Sequence, residues 1–90
     1  MSDKQVIRVL LIEDEAFDVE RVKNTVAHAG YIQIGHVVSN GRDSLELLRR
    51  TAIDVVIMDF QIAGGLQGES LIAAIKDIRP TTQIIIITKM

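Results

Sequence analysis

Ile53-Asp54-Val55-Val56-Ile57-Met58, followed by Asp59, is the stretch on which the reading of this chain turns. It is short, apolar and rich in β-branched residues, and it opens into a glycine-rich loop from Phe60 to Gly68. That pattern predicts a strand rather than a buried helix. A second apolar run, Val6-Ile7-Arg8-Val9-Leu10-Leu11-Ile12, ends in Glu13-Asp14. If both runs are parallel strands of one sheet, Glu13, Asp14 and Asp59 emerge at the same carboxyl-terminal edge. Open α/β sheets bind ligands there. Carboxylates crowded together repel one another unless a hard cation lies among them. The sequence thus points to a divalent-metal acidic pocket around one exposed aspartate, Asp59.

The rest of the chain bounds this reading. Ninety residues allow one domain, spanning 1–90. A composition 48% hydrophobic and 24% charged is that of a globular protein. A net charge of -2 gives no electrostatic reason to expect nucleic acid or an anionic membrane as a partner. The absence of cysteine removes disulfides and thiolate metal sites. The polar start, Met1-Ser2-Asp3-Lys4-Gln5, lacks a signal-peptide apolar core, and no apolar stretch approaches the ~20 residues that span a bilayer. The compartment expected is a reducing cytoplasm.

Between the strands the period changes. Val19, Val22, Val26 and Ala29 recur at three-and-four spacing and predict a helix that Gly30 stops. Tyr31 to Val38 reads as a strand, and Gln33, Gly35 and His36 within it mark an edge. Asn40 is the expected N-cap of a helix from Gly41 to Arg50, with Leu45 and Leu48 facing inward. Leu71, Ile75 and Ile78 place a third helix between about Glu69 and Ile78, closed off by Pro80. Gln83 to Thr88, with four consecutive isoleucines, reads as a strand buried on both faces. Strand–helix alternation of this kind predicts a parallel sheet with right-handed crossovers.

These residues resemble the receiver domain of two-component response regulators. The matching pieces are Leu10-Leu11-Ile12-Glu13-Asp14-Glu15, Ser39-Asn40-Gly41, Val55-Val56-Ile57-Met58-Asp59 and Ile84-Ile85-Ile86-Ile87-Thr88. The resemblance implies a three-layer, flavodoxin-like α/β fold with strand order 2-1-3-4. It implies that Asp59 accepts a phosphoryl group from a sensor histidine kinase or phosphotransfer protein. Glu13, Asp14, Asp59 and the Gln61 backbone carbonyl would hold Mg²⁺, and Thr88 would sense the phosphoryl group. Such a domain is a phosphoryl acceptor rather than a metabolic enzyme, with at most self-catalysed phosphorylation and dephosphorylation. The chemistry agrees: a carboxylate forms an aspartyl phosphate, and Mg²⁺ takes one or two carboxylates plus phosphate oxygens and water.

Taken singly, each residue has a plainer reading. Asp14 alone reads as an N-cap, Asp59 as a turn residue, and Thr88 as an ordinary β-former. His28 reads as a helix-end dipole contact, and His36 as a structural or surface residue. Gly64-Gly65-Leu66-Gln67-Gly68 lacks the lysine and spacing of a P-loop and reads as a loop beside the pocket.

Departures from the family are also visible. Its fifth strand and last two helices, with the lysine that ends strand five, have no counterpart before Met90, and Lys89 does not match that lysine. Ala63 replaces a common proline, and Gly68 falls one residue late. A chain ending here would expose an all-isoleucine edge on strand four, so self-association through that strand or by exchanged elements is expected. A truncated receiver acting only as an interaction module is one alternative. A Mg²⁺-dependent phosphohydrolase is another, disfavoured because Phe60-Gln61 supplies no second aspartate.

Overall fold

The computed structural model describes residues 5–62 and 65–87. Seven elements alternate along the chain: β1 (Ile7–Ile12), α1 (Ala16–Val26), β2 (Ile32–Val38), α2 (Gly41–Arg50), β3 (Val55–Asp59), α3 (Gly68–Ile78) and β4 (Gln83–Ile87). The four strands form one parallel sheet in the order β2-β1-β3-β4. This is the doubly wound arrangement that the alternation predicts. None of the helices among the described residues is long and apolar enough to cross a membrane.

Side chains alternate across the pleat and so divide the core in two. Leu10, Ile12, Val56 and Met58 point to one face and pack against Leu47 and Leu48 of α2 and Leu71 and Ile75 of α3. Val9, Leu11 and Ile57 point to the other, where Val19 and Val22 of α1 lie over them. The first face is dense and closed. The second is thinner, because α1 has no fully buried residue.

Three expectations are corrected. α1 ends at Val26, four residues before Gly30. Its end tightens into short bonds, Ala27 N–H to the Asn24 carbonyl and Ala29 N–H to the Val26 carbonyl, and Gly30 does not take the left-handed cap conformation. The β4 isoleucines are not buried on both faces: Ile85 is 52% and Ile86 38% exposed. The cause is position, since β4 forms an edge of the described sheet and pairs only with β3 there. Finally, Asp59 is the last residue of β3 and is buried, not exposed.

Other expectations stand. Asn40 caps α2, its Oδ1 accepting the Asp43 N–H at 2.8 Å. β2 lies at the opposite edge with no fully buried residue. Its register against β1 slips between Val9–Ile34 and Leu10–His36, which leaves Gly35 as the extra residue of a bulge. Leu48, Leu71 and Ile75 are wholly buried, as their spacing predicts.

Candidate functional site

The site is built by register. Ile12 of β1 pairs with Met58 of β3, so the next residues, Glu13 just past β1 and Asp59 at the last position of β3, fall side by side at the carboxyl-terminal edge of the sheet. Both are buried, at 3% and 6% exposure. The Glu13 N–H donates to the Val38 carbonyl at 3.0 Å, which ties the end of β1 to the end of β2. Each carboxylate also accepts a backbone N–H from two residues further on. Glu15 donates to Glu13 Oε2 and Gln61 to Asp59 Oδ1, both at 3.2 Å. These local bonds fix where the two carboxylates sit before any ligand arrives.

Asp14 differs from its neighbours. It is exposed, and it does not cap α1, whose N-cap position is Glu15. The plain reading of Asp14 as an N-cap is therefore not the one the backbone adopts. Among the described residues no three His, Cys, Asp or Glu side chains gather into a group that holds a metal ion. A pair of buried carboxylates nonetheless suits Mg²⁺, which binds through one or two carboxylates and keeps several waters rather than filling an all-protein cage. Thr88 and Lys89 lie outside the described residues, as do Ala63 and Gly64 of the loop.

The loop after Asp59 closes on itself. Gly68 N–H donates to the Phe60 carbonyl at 3.1 Å, and Ile62 N–H donates to Gln67 Oε1 at 3.0 Å. Gly68 carries a φ of 59°, a left-handed conformation that glycine adopts without a Cβ penalty. On the α2 side the loop approaches Gly41 so closely that a Cβ there would lie 2.6 Å from the Leu66 carbonyl oxygen. A cavity of about 380 Å³ opens beside this contact, lined by Asn40, Gly41, Arg42, Asp43, Gly65 and Leu66. It contains none of the acidic candidates.

Sequence reasoning did not assign roles to Gly41 or Gln67. The signal for Gly41 was a glycine opening a helix directly after its cap, where backbone closeness is the usual reason. The signal for Gln67 was weaker, a long amide at a position that favours short cap residues. His28 and His36 are both exposed and lie away from the acidic edge, in the turn after α1 and within β2.

The molecule belongs to the class of doubly wound α/β domains, which bind ligands at the switch point of the sheet, and here two buried carboxylates stand at that edge. Comparison with known proteins narrows the class. The sequence profile of the response regulator receiver domain matches residues 9–90. The chemotaxis protein CheY of Thermotoga maritima is 31% identical over 83 residues, covering 92% of this chain and 68% of CheY. The chain belongs to the response regulator receiver domain family.

Solved structures agree on the fold. The signal receiver domain of the response regulator NarL from Mycobacterium tuberculosis superposes with a TM-score of 0.82 at 23% identity, covering 93% of this chain and 67% of that one. The non-phosphorylated receiver domain of RcsB from Escherichia coli gives 0.85 at 19% identity, covering 93% and 66%. A longer RcsB chain from Salmonella typhimurium, described for its conformational dynamism in DNA interaction, gives 0.87 at 19% identity. This chain covers 43% of that protein's length.

Proposed function

We propose that Asp59 is the phosphoryl acceptor of this receiver domain and that Glu13, Asp14, Asp59 and the Gln61 backbone carbonyl hold the Mg²⁺ that supports the transfer. The observation that carries this reading is that buried Glu13 and Asp59 each directly follow the last register pair of the neighbouring strands β1 and β3, Ile12 with Met58. A sensor histidine kinase or phosphotransfer protein is the donor. A carboxylate oxygen of Asp59 forms the new O–P bond as the donor's P–N bond breaks, and the departing imidazole keeps the electron pair and takes up a proton. The product is an acyl phosphate on Asp59.

This chain's residues contribute position and charge. The Gln61 N–H holds Asp59 Oδ1 and so fixes the direction of the carboxylate. Glu13 is fixed beside it by the Glu15 N–H. When bound, Mg²⁺ supplies charge neutralisation for the phosphoryl oxygens. Thr88, directly after β4, is assigned to hydrogen-bonding the phosphoryl group, by its place in the family pattern.

The test is the intact mass of the protein after incubation with acetyl phosphate, with and without Mg²⁺. One phosphoryl adduct that requires Mg²⁺ supports the reading. No adduct on folded protein contradicts it. A second reading, an interaction module, is favoured by the exposed Ile85 and Ile86 on β4. They offer an apolar edge through which two copies can pair. Light scattering decides it, since a folded monomer at high concentration excludes self-association through this edge.

A further inference from the structure

Gln67 stands at the N-cap position of α3, yet its side chain makes no bond to that helix. Residues favoured there have short side chains that reach the N–H two or three places on. Gln67 instead spends its amide oxygen on the loop, accepting the Ile62 N–H at 3.0 Å. That N–H and the Gln61 carbonyl belong to the same peptide unit. The unit is trans and planar, so fixing the direction of its N–H fixes its C=O in the opposite direction.

The neighbouring peptides are held as well. Gln61 donates its own N–H to Asp59 Oδ1 at 3.2 Å, and the Phe60 carbonyl accepts the Gly68 N–H at 3.1 Å. Of the two bonds made to side chains, the Gln67 bond lies outside the acidic pair, and so a substitution removes it without touching a carboxylate.

We propose that Gln67 is a positioning residue for the divalent cation: by holding the Ile62 N–H it orients the Gln61 carbonyl as a neutral oxygen donor. This rests on the Mg²⁺ reading given above. Mg²⁺ demands near-octahedral geometry, so an oxygen donor free to rotate is a poorer ligand than one already aimed. Partners that orient metal ligands typically matter by roughly 10–100-fold in affinity. The Gln67 contribution belongs at the lower end, because it acts through one neutral ligand.

The experiment measures Mg²⁺ affinity by titration calorimetry and, in metal-free protein, exchange of the Ile62 amide by NMR. Gln67→Met keeps length but removes the strong acceptor. Gln67→Asn keeps an amide too short to reach, and Gln67→Glu keeps an acceptor oxygen at the original reach. Met and Asn are expected to speed Ile62 exchange and weaken Mg²⁺ binding by about tenfold. Glu is expected to keep Ile62 protected and binding tight. Circular dichroism checks folding, and the Asn variant serves should the Met variant not fold. A variant that frees the Ile62 amide yet binds Mg²⁺ as the wild type does overturns the proposal. Unchanged Ile62 exchange in both variants overturns it too. If the wild type binds no Mg²⁺, or Asp59→Asn binds it equally well, the metal site itself falls and this role with it.

Discussion

Asp54 and Asp59 stand five positions apart in one apolar run, and they show how differently the two ends of a strand hold the same residue type. Asp54 precedes β3 at the amino-terminal end of the sheet. It takes a bidentate pair from Arg8, Nε to Oδ2 at 3.1 Å and a second guanidinium nitrogen to Oδ1 at 3.3 Å, with the Arg8 N–H adding a third bond at 2.8 Å. Asp59 ends β3 at the opposite edge, buried, with the Gln61 N–H on one oxygen. The same residue type is a half-exposed staple in one place and a buried, pre-aimed carboxylate in the other.

The whole amino-terminal end follows the staple pattern. Thr82, wholly buried, donates its hydroxyl to the Ile53 carbonyl at 3.0 Å. Arg79 reaches back to the Leu48 and Thr51 carbonyls at 2.8 and 3.2 Å, and Lys76 holds the Thr82 carbonyl at 2.6 Å. These bonds satisfy carbonyls that helix ends and connections leave over. At the carboxyl-terminal end, acids and a glycine-rich loop gather instead.

The largest effect expected from breaking this contrast is all-or-none. Asp59→Asn should abolish the Mg²⁺-dependent phosphoryl adduct, while Asp54→Asn should leave it, both read by intact mass. An Asp54→Asn protein that folds but takes no phosphoryl group would break the comparison. Next, Gly41→Ala should cost roughly 1–3 kcal/mol, as overpacking does, because the new methyl would meet the Leu66 carbonyl oxygen at 2.6 Å. Chemical denaturation measures the loss, and the displaced loop should slow phosphorylation as well. Thr82→Val should cost about 1–3 kcal/mol by stranding the Ile53 carbonyl. It should leave the phosphorylation rate of the folded protein unchanged, which sharpens the division between the ends.

How much of this was legible in the sequence follows from the range of each signal. Apolar runs and helical spacing report on burial and period, so the strands, Leu48, Leu71, Ile75 and the Asn40 cap read directly. Glu13 and Asp59 were placed together because two parallel strands in register carry their last residues to the same edge. The end of α1 was misplaced because a short-bonded turn after Val26 competes with a glycine stop. The β4 isoleucines misled because residue type reports what a strand prefers, not which neighbours it has. Gln67 escaped notice because its partner, Ile62, depends on how a glycine-rich loop folds back, and no period encodes that.

The smallest effect concerns pH. Arg8 holds the Asp54 carboxyl below its ordinary value, first through its guanidinium hydrogen bond and then through its backbone N–H. A depressed folded-state value contributes stability that is present above the unfolded carboxyl value of about 3.9 and is lost as pH falls through the folded value. The pair is exposed, so the contribution is slight. Chemical denaturation should find wild type marginally more stable than Asp54→Asn near neutral pH, with the difference vanishing as pH falls through the folded carboxyl value.

The most direct test of the division between the two aspartates is to locate the phosphoryl group itself. After reaction with acetyl phosphate and Mg²⁺, borohydride reduces an aspartyl phosphate to homoserine, and peptide mass mapping finds the converted residue. The account predicts homoserine at position 59 alone. Conversion at position 14 or 54, or none in protein that carries the adduct, would contradict it.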